Sequence, residues 1–227
     1  MDGILIVNKP AGLTSHDVVD FVRGHFKIKK VGHAGTLDPV ATGVLVILLG
    51  KATKLSSQLV KDDKEYIATL RLGVVTDSGD SMGKVVSTTD KVDVKRENAE
   101  EAFKRFCGPI KQTPPMVSAL RHKGKRLYEL ARRGLEVPRQ PRNIYIHKLE
   151  ITRFNPPDID FHLVASKGTY VRTLCTDIGQ MLGCGGHAIK MHRIRSGAFS
   201  IEDSLTLERL SGMSREDLKK IVIKRQK

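Results

Sequence analysis

The longest uninterrupted apolar run in the chain is Val44 to Leu49, closed by Gly43 and Gly50. A run of this length fits one buried strand and falls far short of the ~18–20 residues a membrane span needs. Such a strand requires a core around it. With 227 residues, 40% of them apolar, the chain can supply one mid-sized domain, or one domain plus an appendage. That composition also excludes disorder as a whole. The opening MDGILIVNKP carries an acid and a short apolar stretch, which is not a secretory signal. Three scattered cysteines, Cys107, Cys175 and Cys184, cannot build a disulfide framework. The expected location is the cytoplasm.

Around this strand the patterns change without a regular rhythm. Gly3 to Asn8 reads as a first strand. Thr14 and Asp17 form a capping box for a helix that puts Val18, Val19, Val22 and Phe26 on one face. The glycine-punctuated VGHAGTLDP reads as a loop, and residues 64–73 as a half-exposed strand. Glu97 to Phe106 predicts a helix stopped by Gly108, and Arg126 to Arg133 a short basic helix. Asn143 to Phe154 and Asp158 to Ser166 are strands joined by Asn-Pro-Pro. Thr169 to Leu182 predicts a helix and Ala188 to Arg195 a strand, with helix candidates LTLERL and SREDLKKIVIKR at the end. The absence of a βαβ alternation favours an α+β fold, with a mixed, mostly antiparallel sheet and flanking helices.

Charge narrows the partner. Lys and Arg number 39 against 25 Asp and Glu, a net +14, so the expected partner is a polyanion, most often nucleic acid. Residues 111–142 hold nine Lys/Arg against Glu129 and Glu136, a balance of +7. Pro114-Pro115 on one side and Pro138 and Pro141 on the other bracket this stretch. It therefore predicts a projecting hairpin or loop–helix inserted into the domain. Lys123, Lys125, Arg126, Arg132 and Arg133 are its candidate contacts to a phosphate chain, which give salt-dependent affinity without sequence reading. Several familiar motifs fail. Gly183, Gly185 and Ala188 fit a dinucleotide fingerprint, but follow a helix and open a strand. Gly50-Lys51 lacks the rest of a P-loop, and Cys184, His187 and His192 lack a fourth zinc ligand. No metal site is expected.

Two segments set reactive side chains among glycines. One is Gly32-His33-Ala34-Gly35-Thr36-Leu37-Asp38-Pro39, followed by Ala41-Thr42-Gly43; proline fixes the direction of the preceding Asp38. The other is Ser166-Lys167-Gly168-Thr169-Tyr170-Val171-Arg172, at a strand-to-helix junction. In extended chain, Tyr170 and Arg172 would point the same way. Alone, the first is an ordinary Asp-Pro turn and the second an ordinary helix entry.

Together with KPAGLTS, GHAGTLDPVATGVL, GKATK, YIATLRLG with TDSGD, PPMVSALRHKGKRLYELARRG, SKGTYVRTLCTDIG and LGCGGHAIKMHRIRSG, they resemble the TruB-type tRNA pseudouridine synthases. The resemblance runs from residue 3 to about 200. It implies the pseudouridine synthase fold and isomerisation of uridine to pseudouridine at position 55 in the T arm of tRNA. The C1′–N1 bond breaks and the ribose rejoins through C5, with no cofactor. Asp38 matches the catalytic aspartate and Arg172 the arginine that pairs with it. His33, Tyr66, Tyr170 and Met191 match positions lining the nucleotide pocket; Tyr66 is counted with Asp38 and Arg172 as catalytic, and Lys9 as substrate-binding. The family pattern often has leucine-arginine-arginine where this chain reads Met191-His192-Arg193. The expected organisation is a catalytic domain over 1–200, with the basic insertion at 111–142. A short basic helical tail follows over 201–227, without the PUA domain usual in the family. The expected partner is the tRNA T stem-loop and the expected state a monomer. The alternatives are a tRNA-binding or folding-assistance protein of the same fold, and an RNA-guided pseudouridine synthase.

Overall fold

The computed structural model describes residues 1–224. In chain order the elements are β1 (Gly3–Lys9), α1 (Ser15–His25), β2 (Val31–Ala34), β3 (Thr42–Leu49), α2 (Ser56–Leu59), β4 (Lys64–Leu72), β5 (Val74–Thr76), β6 (Val85–Thr88), α3 (Arg96–Arg105), β7 (Gly108–Gln112), β8 (Arg121–His122), β9 (Lys125–Arg126), α4 (Leu127–Ala131), β10 (Arg142–Asn155), β11 (Asp158–Ala165), α5 (Val171–Met181), β12 (Gly186–Ser196), β13 (Phe199–Ser200), β14 (Leu205–Thr206), α6 (Leu207–Ser211) and α7 (Arg215–Ile221). They divide into two compact units, one of residues 1–67 with those from Met191 onward, the other of residues 68–190. Among the described residues no helix is long and apolar enough to cross a membrane.

The first unit is built on the apolar run. β3 pairs antiparallel with β1 along its whole length, from Gly3↔Leu49 to Lys9↔Gly43. Its other edge is shared. β2 takes Val46 to Leu49, and β12 takes Thr42 and Gly43 in parallel through His192 and Arg193. One face of this sheet carries Ile4, Ile6, Ala34, Val44, Val46 and Leu48, packed against Leu55, Leu59, Phe199 and Ile201. Leu5, Val7, Leu45, Ile47 and Leu49 are buried too, which is why β1 from Ile4 to Val7 and β3 from Val44 to Leu49 are apolar without a break rather than alternating. The capping box forms as the sequence predicts: Thr14 Oγ1 accepts from the Asp17 N–H, and Asp17 accepts from the Thr14 N–H at 2.7 Å. β14 adds to β1 in parallel, and Ile4 also forms an isolated antiparallel bridge with Ile223. Residues 225–227 of the expected tail lie outside the described residues.

The second unit orders its strands β4-β11-β10-β7. β10 and β11 form the expected hairpin around Pro156-Pro157, antiparallel from Ile146↔Ala165 to Asn155↔Asp158. Ile159, Phe161, Leu163 and Ala165 of β11 alternate into the core, where Phe103 of α3 meets Phe161 edge-on at 5.5 Å. The basic insertion leaves at Gln112 and returns at Arg142, which are register partners at the end of β7 and the start of β10. It forms a hairpin and a short helix. Lys123 (φ 47°) and Gly124 (φ 84°) make the two-residue turn between β8 and β9, with the positive φ values a tight hairpin requires. Buried Leu127 and Leu130 anchor α4.

Five elements differ from the sequence reading. β2 is a strand where a glycine loop was expected, because the free edge of β3 supplies ladder partners to Val31–Ala34 whatever their propensity. β7 begins at Gly108 itself, and β5 pairs with β6 in a small separate hairpin. α5 begins at Val171 rather than Thr169, because Tyr170 is extended (φ −104°, ψ 109°).

Candidate active site

Asp38 heads a β-turn closed by the Ala41 N–H on the Asp38 carbonyl at 3.0 Å, with Pro39 in the position where its fixed φ belongs. The bland reading of Asp-Pro as a turn therefore holds. What distinguishes this turn is its support. Arg193 donates to the carbonyls of Gly35 (3.0 Å), Thr36 (3.4 Å) and Val44 (2.8 Å). Ser15 Oγ, at the start of α1, donates to the Leu37 carbonyl at 3.1 Å and accepts from the Leu37 N–H at 2.8 Å. The Pro39 carbonyl accepts from the Gly12 N–H at 2.9 Å and from Lys9 Nζ at 3.3 Å. Every carbonyl from Gly35 to Pro39 thus has a donor. The Asp38 side chain itself is half-buried.

Two buried cations lie under this loop. Lys9 is fully buried, and its ammonium also donates to the carbonyls of Pro10 (2.8 Å) and Leu13 (2.7 Å). Burial pulls its pKa down to about 8, opposed by the negative charge of Asp38 and reinforced by the positive charge of Arg193. Arg193 is equally sealed. Gly43 makes room for it: with φ +99°, a Cβ there would stand 2.2 Å from the Arg193 carbonyl.

The other sequence-predicted residues of this unit fall as follows. His33 sits on β2 with its Nδ1 buried and unpartnered, and its pKa is lowered, first by burial, then by Arg193 and His16. Tyr66 is half-buried on β4, and Met191 is buried on β12. His192, standing where the family often has arginine, bonds the Thr42 hydroxyl through Nδ1 at 2.8 Å.

In the second unit, Arg172 is the second residue of α5 and 1% exposed. Since Tyr170 is extended and Arg172 helical, the two do not share the extended-chain geometry that their spacing suggested. Arg172 donates to the carbonyls of Ser78 (2.7 Å) and Val117 (2.8 Å), and its Nε stands 3.4 Å from the Asp80 carboxylate. Asp80 is buried and oriented by Ser78 Oγ (2.7 Å) and the Met82 N–H (3.0 Å). The tight turn holding it uses Gly79 at φ +72°, which brings the chain against the Arg172 Cβ. Tyr170 is half-buried, its backbone gripped by Gln112. Sequence reasoning gave no role to Asp80, Gln112 or Arg193. Asp80 and Arg193 lay inside quoted motifs (TDSGD and MHRIRSG) and Gln112 at the start of the 111–142 insertion, but what singles them out is their burial, which the sequence does not display.

On the insertion, Lys123, Lys125, Arg132 and Arg133 are exposed. Arg126 is tied down by a bond to the Ala119 carbonyl at 2.8 Å, and the Arg132 guanidinium lies 5.4 Å over the Tyr128 ring.

Residues 23–171 match the model of the TruB family pseudouridylate synthase N-terminal domain, and residues 172–224 that of the tRNA pseudouridylate synthase B C-terminal domain. The chain belongs to the TruB family. Its relatives include the tRNA pseudouridine synthase B of Syntrophotalea carbinolica, 47% identical over 98% of this chain and 73% of the relative. That of Geotalea uraniireducens is 51% identical over 92% of this chain and 67% of the relative. Among solved structures, a chain in the crystal structure of a Cbf5-Nop10-Gar1 complex superposes with a TM-score of 0.73 at 31% identity. A chain of an H/ACA RNP bound to a substrate RNA containing 2′-deoxyuridine gives 0.70 at 30%. Each covers 92% of this TruB-family chain, which spans about half the length of either, 53% and 52%. The fold is the pseudouridine synthase fold, α+β with a mostly antiparallel sheet, as the sequence predicts.

Proposed function

We propose that this TruB-family chain isomerises uridine to pseudouridine in tRNA, at position 55 of the T arm, with Asp38 as the catalytic aspartate. The observation that carries the reading is the Asp38 turn, in which every carbonyl from Gly35 to Pro39 is held and two buried cations lie beneath. A loop whose carbonyls are all held restricts where its aspartate sits, and preorganised charges need little reorganisation during reaction.

The reaction suits such a site. The C1′–N1 bond breaks, C1′ bonds to C5, the C5 proton leaves and N1 gains a proton, so atoms and electrons balance without an oxidant. A carboxylate serves such a step as a nucleophile or by stabilising oxocarbenium character at C1′. Tyr66 offers its ring to a base flipped out of the RNA, a stacking contact of roughly 1–3 kcal/mol, and Met191 adds an apolar wall. His33, driven toward the neutral form, suits a base edge better than a phosphate. Lys9 serves the substrate through the loop it holds, since its ammonium is committed to three carbonyls. Within residues 68–190, Tyr170 serves as a pocket residue and Arg172, set by Asp80, as the catalytic guanidinium. The exposed Lys123, Lys125, Arg132 and Arg133, with Arg126, grip the RNA backbone. The chain works as a cytoplasmic monomer without cofactor or metal.

The test is an unmodified tRNA transcript incubated with wild type and Asp38→Asn, with pseudouridine read by carbodiimide primer extension. The expected outcome is loss of modification in Asp38→Asn with tRNA still bound. Full activity in that variant would end the assignment of Asp38 as the catalytic aspartate, and a wild type that binds the transcript without modifying it would move the chain to the binding and folding-assistance reading of its fold.

A further inference from the structure

Gln112 is the last residue of β7 and 2% exposed. A buried primary amide is tolerated only when both its ends are bonded. Both of these ends bond one residue. Its Oε1 accepts from the Tyr170 N–H at 2.8 Å, and its Nε2 donates to the Tyr170 carbonyl at 3.1 Å. The side chain thus does to Tyr170 what a neighbouring strand residue would do, and holds its peptide groups on both sides.

Tyr170 needs such a clamp. It is the N-cap of α5, extended, and has no side-chain cap bond of its own. Its carbonyl also receives the first helical bond, from the Leu174 N–H at 3.1 Å, so both lone pairs are used. Gln112 thereby fixes where α5 starts and the direction in which the Tyr170 ring leaves the backbone.

The position of Gln112 gives the clamp a second consequence. Gln112 and Arg142 are the register pair at which the basic insertion leaves the sheet. Inside the insertion, the Val117 carbonyl accepts from Arg172 at 2.8 Å. The insertion and the start of α5 are therefore bonded at two points, Gln112 with Tyr170 and Val117 with Arg172.

We propose that Gln112 is a positioning residue for the reaction, acting through Tyr170 and coupling the neck of the RNA-gripping insertion to the pocket end of α5. The inference rests on the proposed function. Gln112 touches no substrate; its effect is on the rate of chemistry rather than on RNA affinity.

The experiment measures single-turnover pseudouridine formation on an unmodified tRNA transcript, the tRNA dissociation constant and the thermal midpoint. The proteins are wild type, Gln112→Leu, Gln112→Glu, Tyr170→Ala, Gln112→Leu/Tyr170→Ala and Asp38→Asn. Gln112→Leu is expected to lower the rate by about 10- to 100-fold, the size of effect that a misplacement of about 1 Å produces, with the dissociation constant within about twofold. Gln112→Glu keeps the acceptor for the Tyr170 N–H and loses the donor, so it falls between, and it stands in if Gln112→Leu does not fold. In the Tyr170→Ala background, removing Gln112 costs less than about twofold, because no ring remains to be aimed. Additive losses, or an unchanged rate in a folded Gln112 variant, overturn the inference. An active Asp38→Asn overturns the Asp38 assignment, and a wild type that forms no pseudouridine overturns the proposed function, so these failures are separable from that of the inference.

Discussion

Replacing Arg193 with methionine removes the guanidinium beneath the Asp38 turn and keeps most of its apolar volume. Two of its bonds, to Val44 and Gly35, are 2.8 and 3.0 Å, and the third, to Thr36, is long at 3.4 Å. Charge-assisted bonds of this kind are worth about 1.5–3 kcal/mol each. The two good ones give roughly 3–6 kcal/mol, and relief of a buried cation offsets part of that. A net destabilisation of about 2–4 kcal/mol follows, within the roughly 5–15 kcal/mol a domain has in reserve, so the variant folds. The larger effect falls on activity. Gly35 and Thr36 lose their donor, the turn at Asp38 relaxes, and a shift of about 1 Å lowers the rate about 10²-fold, about 2.7 kcal/mol of barrier. Arg193→Lys keeps the charge without the forked geometry, so it recovers more stability than rate. Urea unfolding and single-turnover modification of a tRNA transcript measure the two quantities. Arg193→Met with the wild-type midpoint and the wild-type rate would refute the account of the loop.

Gly43→Ala is expected to cost more stability than Arg193→Met, because φ is +99° and the new Cβ would meet the Arg193 carbonyl at 2.2 Å; the same urea series ranks them, and a Gly43→Ala protein of wild-type stability would contradict the geometry. Neutralising Arg132 and Arg133 should weaken tRNA binding and reduce the slope of log K against log salt by about one unit for each phosphate they neutralise in the wild type; an unchanged slope removes them from the footprint. Lys9 has a folded-state pKa of about 8 against 10.5 ordinarily, so between those values the unfolded chain binds more protons and stability rises with pH. Wild type should therefore gain on Lys9→Met as pH rises from about 8 through that window in urea unfolding, and a constant difference would show that the ammonium is not held as described.

Much of the fold could be read from residues because local and global preferences agree there. Thr14 with Asp17, the Asn-Pro-Pro turn and the run into Gly50 each specify an element by chemistry within a few positions. β2 and β7 could not be read so, since what makes them strands is a vacant edge on β3 and β10, a partner far away in sequence. The candidate site divides in the same way. Asp38 and Tyr170 stand in local frames, a proline turn and a helix entry, that the sequence displays. Asp80, Gln112 and Arg193 matter through bonds to atoms 92, 58 and up to 158 positions away, counting Asp80 by its ion pair with Arg172 (172 − 80 = 92). No periodicity reports such bonds.

The net charge illustrates the same division. Counted along the chain, +14 points to a polyanion. Yet Lys9, Arg172 and Arg193 are among the largest fully buried side chains, so none of the three is spread on the surface as a phosphate contact. A buried cation opposes folding unless its donors are met. Lys9 and Arg193 meet theirs with backbone carbonyls, and Arg172 adds the Asp80 carboxylate to two carbonyls. Neighbouring carbonyls turn toward one guanidinium where the chain bends tightly, and this chain bends where it has glycine. Gly35 offers its own carbonyl to Arg193, Gly43 admits its backbone, and Gly79 brings a turn against Arg172. The glycines that made the motifs conspicuous and the cations hidden from the charge count are therefore one arrangement. Glycine shapes the cradle, the cation locks it, and the aspartate at the end of the loop is held in place by both.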